Sequence, residues 1–301
     1  MKVFITTISF NNNNATLECL NSIEQADKDN IELFVVVIDN ASLKKFETTR
    51  KFSNFHLKII RSEKNLGFSG GQNLGIRYAI KNGGDIIVVL NNDTIIEKRL
   101  LISLAFSFDK KIGIVAPKIY FAKGYEFYRE RYKEKDRGKV IWYAGGIMDF
   151  KNIIGKHRGV DEVDTGQYDK LTQRDFASGC CMAISKDVIE KVGYFDEKYF
   201  LYYEDNDLSK RAKDQGFEII FQPNAILWHK NAASAGGPGS SLQDYYITRN
   251  RLLFGFKYSS FRTKLALIRE SIRIAYSGRK WQRKGVIDFY LRRFGKGSFS
   301  P

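Results

Sequence analysis

The chain of 301 residues is 43% hydrophobic and 14% aromatic, which suffices for one large domain or a domain with an appendage. Three cysteines, two of them adjacent, exclude a disulfide framework, and no Cys/His spacing predicts structural zinc. No stretch reaches the roughly 18–20 apolar residues of a transmembrane helix, and the amino-terminal segment lacks a small-residue cleavage site, so we expect a cytoplasmic protein.

The formal net charge of +15 is concentrated at the carboxyl-terminal end of the chain. Residues 230–301 contain 15 Lys/Arg and three acidic residues, a net charge of +12, whereas residues 1–229 contain 34 Lys/Arg and 31 acidic residues, a net charge of +3. A charge confined to one segment indicates an anionic partner for that segment.

Strand-like and helix-like segments alternate through the first 120 residues. The pattern predicts strands over residues 2–10, 33–38, 57–60 and 86–90, and helices over residues 15–25, 71–81 and 97–106. The runs "LFVVVI" and "IIVVL" are continuously apolar, which is typical of parallel strands buried on both faces. This alternation predicts an α/β sandwich with a mostly parallel sheet.

The alternation stops after residue 117. Charge and tyrosine dominate residues 118–140, which predict an inserted loop, and "VIWYAGGIMDF" follows as a strand-like segment. The segment "FASGCCMAISKDVIEKVGYFDE" predicts a strand passing into a helix that ends at Gly193. Residues 205–215 predict a helix with acids at its start and cations near its end, as the helix dipole favours. Residues from about 242 onward predict helices with a basic surface.

Three of the predicted strands end in polar clusters, namely "SFNNNN", "IDNAS" and "NNDT". One such cluster could be a turn, but three at the same edge of a sheet favour a ligand crevice, because ligands bind beyond the carboxyl ends of strands in open α/β sheets. The glycine-rich "NLGFSGGQNLG" is either a phosphate-binding helix start or a flexible turn, and its spacing fits neither the dinucleotide nor the P-loop motif.

Acidic residues cluster in "YYEDNDL", where Glu204, Asp205 and Asp207 open a helix. They either stabilise the helix start or include a general base. The adjacent Cys180 and Cys181 have small neighbours and no histidine nearby, so we predict that they pack in the core.

Together these segments resemble a known enzyme family. "VVIDNAS", "NLGFSGGQNLGIRYA", "VLNNDT", "FASGCCMAIS" and "VGYFDEKYFLYYEDNDLSKRAKDQGFEIIFQPNAILWHK" occur in one order. This order resembles the inverting nucleotide-sugar glycosyltransferases of family 2, especially the rhamnosyltransferase-like branch. The resemblance runs from about residue 3 to residue 230 and continues weakly through "YYITRNRLL". It implies a GT-A (Rossmann-like) three-layer α/β/α sandwich over residues 1–235, with a nucleotide-binding half (1–117) and a donor-sugar and acceptor half (118–235), followed by a basic helical extension over residues 236–301.

The resemblance also implies a divalent cation, Mg²⁺ or Mn²⁺, between the donor phosphates, held by Asp93 with His229 as a further ligand. Such ions prefer oxygen ligands and use one or two carboxylates with phosphates and waters. Because Asn91 replaces the first acid of the usual Asp-x-Asp, we expect weak metal binding without the donor. Asp39 is implied to accept the N–H of uracil or thymine. The full set of implied donor contacts is Thr7, Asp39, Asn40, Asn65, Gly67, Asn73, Asn91, Asn92 and Asp93.

For catalysis the resemblance implies that Asp205 is the general base of an inverting transfer. Its carboxylate would take the proton of the acceptor hydroxyl while that oxygen attacks the anomeric carbon. Asp207 and Glu204 would bind acceptor hydroxyls or support the helix. The expected acceptor and sugar pocket consists of Trp142, Gly145, Gly146 and Glu204. The expected donor is a UDP- or dTDP-sugar, with rhamnose as the first candidate, and the expected acceptor is a glycan or a lipid-linked glycan.

The tail, residues 242–301, combines many cations with apolar residues at helical spacing, namely Leu265, Ile268, Ile272 and Tyr276. Such helices either lie on anionic lipid headgroups or pack their apolar faces on the protein. We therefore include an anionic membrane surface, at the inner face of the cell membrane, among the expected partners.

Other interpretations stay open. A nucleotidyltransferase could share the sheet and the metal site, but "TTISFNNNN" lacks the Gly, Lys and Arg of its usual first loop. A catalytically inactive nucleotide-sugar-binding protein would not need the full set of Asp93, Asp205 and His229. A basic nucleic-acid-binding protein would explain the tail but not the acidic clusters, so no nucleic acid is expected as a partner.

Overall fold

Strands and the helices between them build one large mixed sheet in the computed structural model, which describes residues 1–230 and 239–300. The first part of the chain contains β1 (Lys2–Ser9), α1 (Asn13–Glu24), β2 (Glu32–Asn40), β3 (His56–Ser62), α2 (Gly67–Lys81), β4 (Ile86–Leu90), β5 (Thr94–Ile96), α3 (Leu100–Ala105) and β6 (Ile112–Phe121). The second part contains β7 (Ile141–Tyr143), β8 (Gly146–Asp149), β9 (Ile154–His157), β10 (Thr172–Gln173), β11 (Cys181–Ser185), α4 (Lys186–Val192), α5 (Glu204–Asp214) and β12 (Glu218–His229). Three helices follow, α6 (Ser241–Tyr258), α7 (Phe261–Ser277) and α8 (Lys280–Tyr290).

The main sheet has the strand order β10-β12-β6-β11-β4-β1-β2-β3. Strands β3, β2, β1 and β4 are parallel, and β12 is parallel to β6. Strand β11 is antiparallel to both of its neighbours, β4 and β6. The carboxyl ends of β1, β2, β4, β6 and β12 therefore lie at one edge of the sheet, together with the amino-terminal end of β11. The predicted α/β architecture with a mostly parallel sheet is confirmed.

The apolar runs form the centre of the core. Every residue of β4 is buried, as are the central residues of β1 and β2, because helices cover both faces of these strands. Helix α2 packs closely on them through its glycines. A Cβ at Gly75 would lie 2.8 Å from side-chain atoms of Ile38 and Thr6, and one at Gly71 would lie 2.7 Å from Ile8. This close packing offsets the low helix propensity of glycine. Helix α2 begins at Gly67, four residues before the predicted start.

Two further sequence predictions were wrong in detail. The helix predicted over residues 97–106 is shorter and follows β5, a strand that pairs with β12. The loop predicted over residues 118–140 begins after β6, because its first four residues pair with β12. Lys118 is tolerated inside this strand since its ammonium group pairs with Asp164 (2.8 Å) and Asp169 (2.6 Å).

The tail is helical, as predicted, and α6 packs on the preceding part of the chain. Leu252 and Phe254 of α6 share a small apolar core with Met148, Ile153 and Tyr199. No helix among residues 1–230 and 239–300 has the length and apolarity that crossing a membrane requires. The predicted boundary at residues 235/236 lies outside the described residues, and the one at 117/118 falls inside β6.

Candidate active site at the carboxyl ends of the strands

The ends of β4 and β12 bring Asp93 and His229 together, although 136 residues separate them. Strand β5 runs antiparallel to β12 and places Thr94 opposite His229. The His229 Nε2 atom lies 3.1 Å from Asp93 Oδ1, and the Lys230 N–H donates to the Asp93 carbonyl over 2.9 Å. Both side chains are buried. The sheet thus joins one carboxylate and one imidazole at the edge where the resemblance implied a metal.

Asn91 and Asn92 make their hydrogen bonds with other parts of the chain than Asp93 does. The Asn91 N–H donates to the Cys180 carbonyl over 2.8 Å, which ties β4 to β11. The Asn92 amide donates to the hydroxyl of Thr16 in α1 over 2.8 Å. Asn92 therefore braces the start of α1, while the half-buried Asn91 side chain lies next to Asp93 in the chain.

Asp205 contacts the backbone just before β11. Its Oδ2 accepts the Gly179 N–H over 3.0 Å, and its Oδ1 accepts the Asn206 N–H over 2.8 Å. Burial raises the pKa of Asp205 above its ordinary value, against the effect of these hydrogen bonds. Gly179 contacts Asp205 and its neighbour Cys180 contacts Asn91, so one turn of backbone links the two acidic centres.

The neighbouring thiols are packed rather than reactive. Cys180 and Cys181 are buried, and burial raises the pKa of both thiols. Since the thiolate is the nucleophilic form, neither cysteine is suited to covalent catalysis.

Glu204 differs from Asp205 in its surroundings. Its side chain is 4% exposed, and its Oε2 has no hydrogen-bond partner among the described residues. Burial and then the charge of Asp205 raise the pKa of Glu204 well above its ordinary range, which favours the protonated form. Glu204 is therefore a buried carboxyl group with one oxygen that the described residues do not use, and its predicted place in the acceptor pocket stays a prediction.

Asp207 connects α5 to α6. Its carboxylate accepts hydrogen bonds from Arg211 Nε, Lys257 Nζ and Tyr258 OH, each over 2.7 Å. Burial by itself would raise the pKa of Asp207, but Arg211 and Lys257 outweigh it and hold the pKa below its ordinary value. Of the two roles predicted for Asp207, support of the helix is the one these contacts favour.

We expect Asp207→Asn to lower the free energy of unfolding by about 2–3 kcal/mol at neutral pH, because two cations lose their shared carboxylate. A carboxyl group whose pKa is lowered by folding stabilises the protein above its unfolded pKa of about 3.9 and loses that effect as pH falls through the folded value. Urea unfolding should therefore show a difference between variant and wild type that is constant above pH ~5 and shrinks in acid. Asp214→Asn, in the exposed last turn of α5, is the control and should cost less than about 0.5 kcal/mol. An equal loss in both variants would contradict the role of Asp207.

Asp39 lies at the end of β2, and its carboxylate has partners within the chain. It accepts the N–H of Ser42 over 3.0 Å and of Phe46 over 3.2 Å, and it pairs with Arg61 of β3. Burial would raise its pKa, but these hydrogen bonds hold the pKa of Asp39 below its ordinary value. Arg61 was not predicted, because nothing in the spacing of the two residues shows that β2 and β3 place them side by side. In β1, the buried Thr7 hydroxyl has no partner among the described residues.

Asn40 and Asn65 shape the turn before α2. The Asn40 amide donates to Asn65 Oδ1 over 3.1 Å and to the Gly67 carbonyl over 3.0 Å, and Asn65 Oδ1 accepts the Gly67 N–H over 2.8 Å. Gly67 has a φ of +70°, and a Cβ there would lie 2.4 Å from the Phe200 carbonyl oxygen. The glycine-rich segment is therefore an ordered helix start that touches the loop before α5.

We expect Gly67→Ala to cost about 3 kcal/mol of stability, from the left-handed backbone and the clash with Phe200 together. Gly83 has a φ of +75° but nothing within 4 Å of its Cβ position. Gly83→Ala should therefore show only the backbone cost of about 1–2 kcal/mol. Thermal unfolding of the two variants separates the two effects, and equal losses would show that the contact with Phe200 is unimportant.

Asn73 lies in α2 and is 1% exposed. Its amide nitrogen donates to the Phe195 carbonyl and to Glu197 Oε1, both over 2.9 Å, and its oxygen accepts the Phe195 N–H over 3.0 Å. The structure therefore does not bring Asn73 to the surface of the crevice. Its contacts join α2 to the segment before α5.

Trp142 lies between two histidines. Its ring centroid is 4.7 Å from that of His229, with an interplanar angle of 80°, and 4.5 Å from that of His157, with an interplanar angle of 66°. Burial lowers the pKa of His157 to about 4, so this ring is neutral at physiological pH. A Cβ at Gly145 or Gly146 would lie 2.6 Å from Arg174 or 2.5 Å from the Phe176 carbonyl, so close packing requires both glycines. Trp142 is thus the predicted pocket residue in direct contact with the Asp93–His229 pair.

The loop before α5 has an unusual backbone. Phe200, Tyr202 and Tyr203 have φ values of 64°, 69° and 75°, in the left-handed region that residues with a side chain avoid. Each such residue costs on the order of 1–3 kcal/mol unless its surroundings impose the conformation. The Phe200 carbonyl accepts the N–H of Phe68 at the start of α2 over 2.7 Å. This loop therefore links the glycine-rich helix start to Asp205.

Arg249 and Asn250 of α6 impose that conformation. The fully buried Arg249 donates to the carbonyls of Tyr199 (3.0 Å) and Gly295 (2.7 Å). Asn250 Nδ2 lies 2.8 Å from each of the carbonyls of Tyr199, Leu201 and Tyr202. Both residues belong to "YYITRNRLL", the segment of weakest resemblance, and only this juxtaposition reveals their role.

The residues present fit a divalent cation that binds together with its ligand. Among residues 1–230 and 239–300, no group of three or more His, Cys, Asp and Glu side chains could hold a metal. Asp93 and His229 supply one carboxylate and one imidazole, and His229 Nδ1 is buried without a hydrogen-bond partner in that part of the chain. Mg²⁺ and Mn²⁺ are commonly held by one or two carboxylates with phosphates and waters. The two side chains thus suit a cation that also needs donor phosphates.

Residues 1–255 match the sequence profile of the family described as "Glycosyltransferase like family 2". The chain is 29% identical over 220 residues to the low-salt glycan biosynthesis hexosyltransferase Agl10 of Haloferax volcanii, covering 72% of this chain and 66% of that protein. It is 26% identical over 231 residues to the dTDP-rhamnosyl transferase RfbF of Shigella flexneri, covering 73% and 70%. Over 70 residues, 23% of each chain, it is 37% identical to the N-acetylglucosaminyl-diphospho-decaprenol L-rhamnosyltransferase of Mycobacterium tuberculosis.

Solved structures share the fold. The structure of GalNAc-T7 with UDP, GalNAc and Mn²⁺ superposes with a TM-score of 0.61 at 14% identity, covering 97% of this chain and 57% of that one. S. aureus TarS 1–349 in complex with UDP-GlcNAc superposes with a TM-score of 0.54 at 14% identity, covering 96% and 79%. At this identity the likeness concerns the fold alone.

Proposed function

The chain belongs to glycosyltransferase family 2, and from this premise we propose that it transfers a sugar from a dTDP- or UDP-linked donor to a glycan or lipid-linked glycan with inversion at the anomeric carbon. The observation that carries the proposal is the link through Gly179 and Cys180 between Asp205 and the strand end that holds Asp93. Donor phosphates at Asp93 and an acceptor hydroxyl at Asp205 would then occupy one crevice.

In this proposal Asp205 is the general base. Burial raises the pKa of its carboxyl group above the ordinary value, which makes the carboxylate a stronger base, and a base works best when its pKa approaches the working pH. The carboxylate takes the acceptor proton while the hydroxyl oxygen attacks the anomeric carbon opposite the nucleotide, whose bond to the sugar breaks.

Asp93 and His229 would hold Mg²⁺ or Mn²⁺. When bound, such an ion neutralises charge on the leaving diphosphate. Trp142, packed against His229, would form a wall of the sugar pocket, and Glu204 would meet an acceptor hydroxyl. Asp39 would receive the nucleobase in a site whose walls Arg61 and Ser42 complete.

Rhamnose is the first candidate for the transferred sugar. The support comes from relatives, since one is named a dTDP-rhamnosyl transferase and another an L-rhamnosyltransferase that acts on a diphospho-decaprenol. The second name also supports a lipid-linked acceptor.

Isothermal titration calorimetry tests the donor. The panel is dTDP-rhamnose, UDP-glucose, UDP-galactose and UDP-N-acetylglucosamine, each with Mn²⁺ and with EDTA. We expect metal-dependent binding of a single sugar class, dTDP-rhamnose first. Binding of none of the four under either condition would refute the proposed donor class. Donor binding with no transfer of the sugar to a glycan acceptor, and so no release of nucleotide, would indicate an inactive binding protein.

A further inference from the structure

Helix α7 exposes a stripe of large apolar side chains. Phe261, Leu265, Ile272 and Tyr276 are 74%, 40%, 54% and 84% exposed. At 3.6 residues per turn, the four positions fall within an arc of about 60° that runs the length of the helix. Scattered single apolar residues are normal on protein surfaces, but a continuous stripe marks an interaction surface.

The fold of the tail does not need this stripe. The opposite side of α7 makes the packing contacts, because Leu267 and Ser271 are buried and the Ser271 hydroxyl lies 2.7 Å from the Tyr290 hydroxyl of α8. The apolar stripe takes no part in the packing of α7 against α8, so it is available to a partner.

Charge identifies the partner. Arg262, Arg269 and Arg273 are exposed and lie along one side of the stripe, within about 60° of Tyr276. The single acidic residue of α7, Glu270, points elsewhere and pairs with Arg251 over 2.7 Å. The exposed stripe is therefore bordered by cations, which suits a surface that is apolar inside and anionic at its boundary.

We propose that α7 lies on an anionic lipid bilayer, with the apolar stripe among the acyl chains and the three arginines on the headgroups. A second copy of this chain fits the same stripe less well, since a symmetric contact would bring the arginines of both copies together. The proposal extends the proposed function, because a lipid-linked acceptor would lie at the same surface, but its test needs no transfer.

Co-sedimentation with vesicles tests it, using the full chain without donor or metal. Vesicles of phosphatidylglycerol and phosphatidylcholine should bind the protein at low salt, and vesicles of phosphatidylcholine alone should bind it far more weakly. R262Q/R269Q/R273Q should weaken binding roughly 100-fold, about fivefold per arginine. F261S/I272S should also release the protein. The matched control, K110Q/K111Q/K135Q, removes three exposed lysines elsewhere and should bind like the wild type.

Three results would overturn the proposal. Wild type could fail to bind the phosphatidylglycerol vesicles at low salt, or the lysine control could lose as much binding as the arginine variant. F261S/I272S could instead change the mass in sedimentation velocity and leave vesicle binding intact, which would make the stripe a contact between copies. Circular dichroism and thermal unfolding of each variant show whether the protein is folded. Because neither this check nor co-sedimentation uses a donor, failure of this proposal is distinct from failure of the proposed donor site.

Discussion

Replacing Asp205 by asparagine should lower turnover by roughly 10²–10⁴-fold, the usual contribution of one general base. Donor affinity should stay near that of the wild type, because the substitution leaves Asp93 and His229 untouched. Asparagine is nearly isosteric, and its side-chain oxygen can still accept the N–H of Gly179, so the fold should persist. Nucleotide release in the presence of acceptor measures the first quantity, and calorimetry measures the second.

The pH profile gives an independent readout for Asp205. Since folding raises the pKa of this carboxyl group, wild-type turnover should fall as the pH drops through a value above the ordinary pKa of about 3.9. The residual activity of Asp205→Asn should lack that acidic limb. Asp214→Asn, on the same helix, should keep both the rate and the limb. If Asp205→Asn turns over at the wild-type rate, Asp205 is not the general base.

Asp93→Asn should abolish the difference between donor binding with Mn²⁺ and with EDTA. The variant keeps an oxygen near His229 but loses the only carboxylate of the pair, and an amide is a much weaker ligand for a divalent cation. We expect turnover to fall by roughly 10²-fold or more, as for the loss of several kcal/mol of charge stabilisation at the leaving group.

Asp85→Asn is the matched control for Asp93, because Asp85 precedes the other end of β4 and is exposed. It should bind donor and metal as the wild type does. If Asp93→Asn retains metal-dependent donor binding, the cation is held elsewhere and the proposed site is refuted.

The sheet could be predicted from the sequence because its central strands are continuously apolar. β2 and β4 could be predicted without knowing which strands they pair with, since "LFVVVI" and "IIVVL" are buried on both faces. β5 and the end of β6 were missed for the opposite reason. β5 has three residues and β6 contains Lys118, so both depend on pairing with β12, more than 100 residues later.

The sequence could predict which residue types belong to the candidate site, but not which of these residues contact one another. Polar strand ends indicated a crevice, and the family resemblance supplied Asp93, His229 and Asp205. No local pattern shows that His229 reaches Asp93, because that contact depends on the order of β12, β6 and β11 in the sheet. The same limit applies to Arg249, because nothing in the sequence distinguishes it from the other Lys and Arg residues of the basic tail.

The contacts that Arg249 makes with the loop before α5 also bear on the order in which the parts of the protein can fold during synthesis. Arg249 spans from the carbonyl of Tyr199 to those of Arg293 and Gly295, so the loop beside Asp205 receives its support from the last described helix and the residues after it. During synthesis, the crevice residues leave the ribosome first, and two of the acceptors for Arg249, the carbonyls of Arg293 and Gly295, leave it much later. A nascent chain can therefore form the sheet, and even the Asp93–His229 pair, before the loop beside Asp205 has all of its contacts with Arg249. Asn250 can hold this loop earlier, but the support from Arg249 is complete only once residues 293–295 have emerged.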